Sequence, residues 1–196
     1  GINIYGKPTM ITLNCNNNLL TSLDVYLCQN LKYLNCYNNP QLTTLSVKNC
    51  PALTELDCSN TKITTLDLTT SMGSLTKLNC QDNSLLTSLN CYSNQLTTLN
   101  VTNNTALTYL SCSNNSGLSS ITGLSDCANL TELYCTTCAI TNLNLTGKNK
   151  LKKLVCYENE MTTLTLTGCT ALEAINCSTN QLTGLTFQSY FTKLKT

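Results

Sequence analysis

The chain has 196 residues, enough for one domain with a sizeable core, and carries a formal net charge of +1 with only 11% charged residues. Every basic residue is Lys, and a groove for a polyanion needs a dense basic field, so no nucleic-acid partner is expected. His is absent, which removes imidazole bases, Ser-His and Cys-His nucleophile pairs and His metal ligands.

In chain order, the first predicted element is the short stretch Ile2, Asn3, Ile4, which can pair with the first coil of the segment that begins at Met10. From Met10 onward two kinds of half-unit alternate. The first has the form LxxLxCxxN. The second has the form LxxLxVxx followed by Cys, Asn or a small residue. Residues 31–52 read LKYLNCYNNPQLTTLSVKNCPA, and residues 151–171 read LKKLVCYENEMTTLTLTGCTA. Each half-unit has only about ten to twelve residues and alternates apolar positions, which predicts a short strand and leaves no room for a helix with its connections. One unit cannot bury its Leu face alone; stacked units form a continuous core of aligned Leu, Cys and Val. A solenoid with parallel strands on both sides of a flattened coil is therefore expected, over residues 1–196 as a single domain.

The repeat is marked by Cys15, Cys36, Cys58, Cys80, Cys91, Cys112, Cys135, Cys156 and Cys177. Successive marks lie 21 to 23 residues apart, except for 11 between Cys80 and Cys91. There a second-type half-unit is missing. Either the two faces of the solenoid exchange strand types after residue 85, or the orphan half-unit loops out. Leu, Val and Cys interchange readily in a core, which favours the exchange. At the C-terminal end, Phe187, Tyr190 and Phe191 form an aromatic cluster expected to cap the last coil within residues 187–196.

The pattern resembles the leucine-rich repeat, LxxLxLxxNxL, and more narrowly the short nested bacterial subtype LxxLxCxxNxLxxLDLxxN. The resemblance covers roughly residues 10–190, with close matches at Leu20, Asp24 and Val25 and at Ile63, Asp67 and Leu68. Departures are local: Thr61 and Cys138 replace the Asn, and Gly123 breaks a half-unit. The resemblance implies a leucine-rich-repeat solenoid, mainly β with little or no helix, on a secreted or cell-surface bacterial protein. No signal peptide is visible, and no apolar run approaches the ~20 residues of a transmembrane segment.

Asn18, Asn39, Asn83, Asn94, Asn115, Asn159 and Asn180 recur at the bend, where an Asn can turn inward and bond the backbone. The fourteen Cys are read as reduced core residues, because in-register Cβ vectors of a ladder do not converge for disulfides. Cys36, Cys58, Cys112, Cys135, Cys156 and Cys177 are expected to be buried. Cys135 and Cys138 form the one CxxC, but no second CxxC or His completes a zinc site, and the repeat already explains both. Lys148, Lys150, Lys152 and Lys153 read as a solvated bend. The Asn-x-Thr/Ser sequons follow from a composition rich in these residues. No phosphate loop, carboxylate pair or nucleophile elbow is present, so no enzyme, cofactor or metal is expected.

Outward strand positions differ between the two types. First-type strands carry Tyr33, Tyr37, Glu55, Lys77, Tyr92, Tyr109, Glu132, Tyr134, Lys153 and Tyr157, which include six of the nine Tyr. Second-type strands carry mostly Thr, Ser, Asn and Asp. Tyr offers rigid contact area with a polar tip. The Tyr-bearing strands are therefore the expected binding face for a protein, peptide or glycan. A structural spacer or stalk, and ice binding through the Thr rows, are the alternatives.

Overall fold

A computed structural model describes residues 2–4, 6–69 and 73–185, with Ile2 and Asn3 described by their backbone alone. The expected aromatic cap of Phe187, Tyr190 and Phe191 lies outside the described residues. The fold is a parallel β-solenoid built from strands of two or three residues, with one described 3-10 helix at Leu124–Asp126.

One wall of the coil carries β2 (Thr12–Asn14), β4 (Tyr33–Asn35), β6 (Glu55–Asp57), β8 (Lys77–Asn79), β10 (Leu99–Asn100) and β12 (Ile121–Thr122) in one sheet. It continues in a separate pair, β14 (Asn142–Asn144) and β16 (Thr163–Thr165). The opposite wall carries β1 (Ile2–Asn3), β3 (Ser22–Asp24) and β5 (Thr44–Ser46). A second sheet follows on that wall: β7 (Thr65–Asp67), β9 (Ser88–Asn90), β11 (Tyr109–Ser111), β13 (Glu132–Tyr134), β15 (Lys153–Val155) and β17 (Ala174–Asn176). Every pairing among them is parallel, and β1 joins β3 through Ile2 opposite Leu23.

The walls exchange strand types at the irregular spacing. On the first wall β8, a first-type strand, is followed by β10, a second-type strand, with Asn79 opposite Asn100. On the second wall β7, a second-type strand, is followed by the first-type β9, with Leu66 opposite Leu89. The orphan half-unit does not loop out. The exchange is possible because each coil keeps its length: Leu66 to Leu89 and Leu78 to Leu99 are both close to one full turn. In the core of the strand, only the inward residue two positions after the central Leu changes, from Cys80 to Val101 on one wall and from Leu68 to Cys91 on the other, and all four are buried.

The core is a single cluster of stacked Leu, Val, Ile and Cys. Cys15, Cys36, Cys58 and Cys80 line the first wall, and Cys91, Cys112, Cys135, Cys156 and Cys177 line the second, so two short Cys ladders lie diagonally across the stack. All fourteen Cys are free thiols. Cys177, expected to be buried, is half-buried because it follows β17, the last described strand, and no described coil stacks beyond it. Burial pushes the thiols up: Cys80 and Cys156 of the ladders to about 12, and Cys50, at the end of a second-type half-unit, to about 11, from an ordinary 9.0. The native protein should therefore resist thiol reagents at pH 8, whereas the denatured protein should release close to fourteen thiols. The folded state holds these protons more tightly than the unfolded chain. The stability they contribute is complete below pH 9, and it should fall as pH rises through the window from 9.0 to about 12. Melts that are flat across this window, or a count of only a few free thiols, contradict the buried, reduced ladders.

The bends are closed by the Asn stack. Asn39 donates from Nδ2 to the carbonyls of Cys36 (2.8 Å) and Cys15 (3.1 Å) and accepts from the Leu20 amide (3.1 Å). Asn83, Asn115, Asn159 and Asn180 repeat the carbonyl bonds to their own coil and the preceding one. Asn104 joins the stack although it ends a second-type half-unit: its Oδ1 accepts from the Asn83 amide at 3.0 Å. The residue before each bend position is often left-handed, as at Asn38, Asn49, Asn60, Asn103 and Asn114, where φ lies between 51° and 60°. Asn tolerates this region better than other residues with a Cβ.

Candidate functional site

The strand exchange determines where the outward residues point. Before it, the first-type strands lie on the first wall; after it, they lie on the second. The Tyr-bearing strands thus form two patches on opposite sides of the core.

On the first wall, Tyr33, Glu55 and Lys77 stand in one cross-strand row, each opposite the next. Lys77 Nζ lies 2.8 Å from Glu55 Oε1, which raises the lysine's pKa. Both partners are well exposed, so the pair adds little to stability. The neighbouring row is Asn35, Asp57 and Asn79. Asp57 accepts from the amide and hydroxyl of Ser59 (3.0 and 2.6 Å) and from Asn79 Nδ2 (3.2 Å). These side chains border a hollow of about 510 Å³ that runs from Thr12 to Thr98. Tyr33 stands 43% exposed at its edge. Tyr37 lies on the bend, its hydroxyl accepting from Asn17 Nδ2 at 3.0 Å.

The second wall carries the same residue types in the same order, since Tyr109, Glu132 and Lys153 form the row there. Their pairing differs because Tyr134 stands in the next row, between Ser111 and Val155. The rings of Tyr109 and Tyr134 lie 5.6 Å apart, tilted by 43°. Lys153 Nζ sits 5.2 Å from the Tyr134 centroid, and the Tyr134 hydroxyl donates to Glu132 Oε2 at 2.6 Å. That hydrogen bond, reinforced by partial desolvation, holds the Tyr134 phenol above its ordinary range. Ring stacking and cation–π contact each contribute on the order of 1 kcal/mol. The four side chains therefore hold one another in place on β11, β13 and β15. Tyr92 and Tyr157 flank the cluster from the bend; Tyr92 is 43% exposed and accepts from Asn114 Nδ2 through its hydroxyl.

The Thr rows are divided in the same way. β3, β5 and β7 lie on one wall and β10, β12, β14 and β16 on the other, so among the described residues no Thr-rich face runs the length of the solenoid. Among the described residues no group of three or more Cys, Asp or Glu is placed to hold a metal ion, and no helix is long and apolar enough to cross a membrane.

The Lys-rich segment departs from expectation. Lys150 is exposed and donates to Asn129 Oδ1, but Lys148 is only 4% exposed and donates from Nζ to the Ser125 carbonyl at 3.0 Å. Its position in the stack falls between Cys127 and Cys169, both buried. Lys148 is therefore an inward residue of the bend, not part of a solvated turn. A sequence signal exists: 145–148 read Leu-Thr-Gly-Lys and 166–169 read Leu-Thr-Gly-Cys.

No protein-family model matches the sequence, and a search of curated proteins finds no match. Among solved structures, an internalin, InlF, from Listeria monocytogenes is 19% identical with a TM-score of 0.51, over 91% of this chain and 70% of that one. The functional domain of InlJ from Listeria monocytogenes, described as including a cysteine ladder, is 32% identical with a TM-score of 0.41; the alignment covers 91% of this chain but only 46% of that one. Internalin C2 of the same organism is 20% identical with a TM-score of 0.47, over 86% and 80%. The InlF match places the coil architecture among internalin folds.

Proposed function

We propose that this leucine-rich-repeat protein is a non-enzymatic recognition module, secreted or held at a bacterial cell surface, that binds a protein, peptide or glycan through Tyr109, Glu132, Tyr134 and Lys153. The observation that carries this reading is the pre-organised cluster on the second wall. Two aromatic rings, a cation and a carboxylate are already fixed by mutual contacts, so binding loses little side-chain freedom. Flat parallel strands present them as one surface, and Tyr92 and Tyr157 extend it at the bend.

The row of Tyr33, Glu55 and Lys77 with Tyr37 faces away from this cluster. The hollow beside it favours a second, independent contact and not an extension of the first.

Aromatic hot spots typically cost over ~2 kcal/mol on truncation, or roughly 30-fold in affinity. A pull-down or glycan-array screen should use the wild type beside Tyr109→Ala/Tyr134→Ala and Tyr33→Ala/Lys77→Ala. The expected result is a ligand that the first double variant loses by at least that factor and the second retains. A ligand held equally by wild type and Tyr109→Ala/Tyr134→Ala would sink the assignment to the second wall. Failure to find any ligand would support the spacer or stalk reading.

A further inference from the structure

The first wall breaks between β12 and β14. Sheet pairing ends at β12 and resumes with β14 and β16. The cause lies in the half-unit that Gly123 interrupts. Its backbone approaches Thr102 of the preceding coil so closely that a Cβ would fall on Thr102 backbone atoms. The 3-10 turn Leu124–Asp126 then occupies the place of a regular bend. Drawn toward the coil before it, this segment leaves a hollow of about 430 Å³ against β14.

Lys148 lines that hollow. The residue is 4% exposed, and the Ser125 carbonyl, itself part of the lining, is the one acceptor its side chain reaches among the described residues. One carbonyl uses one of three ammonium donors and supplies no negative charge. An ammonium so buried needs a compensating anion, because desolvating an unpaired charge is costly. None is built in. No Asp or Glu lines the hollow, and the one ion pair among the described residues is Lys77 with Glu55. Asp126, next in sequence to the lining residue Ser125, is directed elsewhere: it accepts from the Asn103 amide (3.0 Å) and the Ser125 hydroxyl (3.1 Å). The flanking thiols supply no charge near pH 7. Burial pushes Cys127 up to about 11 against the opposing pull of Lys148, with a smaller upward push from Asp126, and burial raises Cys169 as well. The rest of the polar lining is neutral, with Ser120, Asn142, Asn144 and Thr146.

We propose that the hollow at the β12–β14 break is a binding site for a small oxyanion, a carboxylate or phosphate group, with Lys148 as its counter-charge. The site is independent of the Tyr-bearing surfaces, and its position follows from two sequence departures that come together in the stack: the glycine that opens the wall and the lysine that takes a Cys position.

Two probes separate the sources of such a group: inorganic phosphate for a free anion, and acetylglycine beside its amide for a peptide carboxylate. Titration at constant ionic strength should give saturable binding of phosphate or acetylglycine, with dissociation constants of ~1 mM or tighter, and none of the amide. The tighter of the two anions identifies the source. Lys148→Cys should fold, because Cys occupies the same stack position at Cys127 and Cys169, and it should lose the binding by at least tenfold. In the wild type alone, amide resonances of Ser125, Asn144 and Thr146 should shift with the bound anion. Equal binding by wild type and Lys148→Cys, no saturable binding of either anion, or shifts confined to other parts of the chain would overturn the proposal.

Discussion

Asn115→Leu is expected to destabilise the protein by about 3 kcal/mol, although it nearly preserves the shape of the side chain. Asn115 is fully buried. Its Oδ1 accepts from the Leu96 amide at 2.9 Å, and its Nδ2 donates to the carbonyls of Cys91 (3.0 Å) and Cys112 (2.8 Å). One side chain thus ties together three segments of the stack. A longer contact from Nδ2 reaches the Ser113 carbonyl at 3.4 Å, and the three shorter bonds are not equally replaceable. The Cys91 carbonyl keeps the Asn94 amide group at 3.1 Å, and the Cys112 carbonyl keeps a weak donor, the Cys138 thiol, at 3.5 Å. The Leu96 amide keeps none, and Leu96 is fully buried from solvent. Each orphaned buried group costs ~1–3 kcal/mol, so the amide contributes most of the loss and the two weakened carbonyls the rest. Asn180 makes the same set of bonds at a half-buried position: to the Cys156 and Cys177 carbonyls and from the Met161 amide. Asn180→Leu should therefore cost much less, since solvent can replace the partners. Urea melts of the two variants provide the check; equal losses would refute burial as the source of the difference.

That contrast also shows what a sequence of this kind reveals. The bend Asn residues were legible because they recur at a fixed offset from the Cys, and the inward position follows from the backbone's need for partners. The strand exchange was legible as one of two alternatives, since the spacing of 11 between Cys80 and Cys91 shows a missing half-unit but not its fate. Packing decided it. Leu68 and Cys91, like Cys80 and Val101, occupy equivalent core positions, and keeping one coil length costs less than expelling a segment. The candidate Tyr and charged residues were legible as outward positions. Their grouping into two opposite patches was not, because it depends on that exchange. Nor was the contact set around Tyr134, which needs the register that puts Tyr109, Glu132 and Lys153 in one row. Lys148 was misread for a different reason. A run of Lys at a bend reads as solvated, and only alignment against Cys127 and Cys169 shows that the first of them stands in the core stack. Asn104 was missed because it ends a second-type half-unit, and only after the exchange does it stand above Asn83.

Gly123→Ala is expected to cost at least about 3 kcal/mol, more than the same change at other left-handed glycines of the chain. Two penalties combine. Gly123 has φ 81°, in the left-handed region where a Cβ costs ~1–2 kcal/mol. The added methyl also falls on the backbone nitrogen and Cα of Thr102 and on its Oγ1. Backbone atoms cannot rotate away, so the coil itself must move, and overpacking of this sort costs ~1–3 kcal/mol or more. Gly147 separates the two penalties: it has φ 77°, but a Cβ there meets nothing within 4 Å. Gly147→Ala should lose only the conformational share, about 1 kcal/mol. Equal losses for the two variants in urea would show that close packing on Thr102 contributes nothing. The direction of the forced movement carries a structural consequence. The Thr102 coil is fixed below, so the 3-10 turn Leu124–Asp126 can relieve the contact only by rising toward β14, into the hollow that Lys148 lines. In Gly123→Ala the amide resonances of Asn144 and Thr146 should therefore shift even where the protein stays folded, while those of β3 and β5, on the far wall and several coils away, stay in place. The glycine that appears in the sequence only as a break in the repeat is thus the residue that holds the wall open.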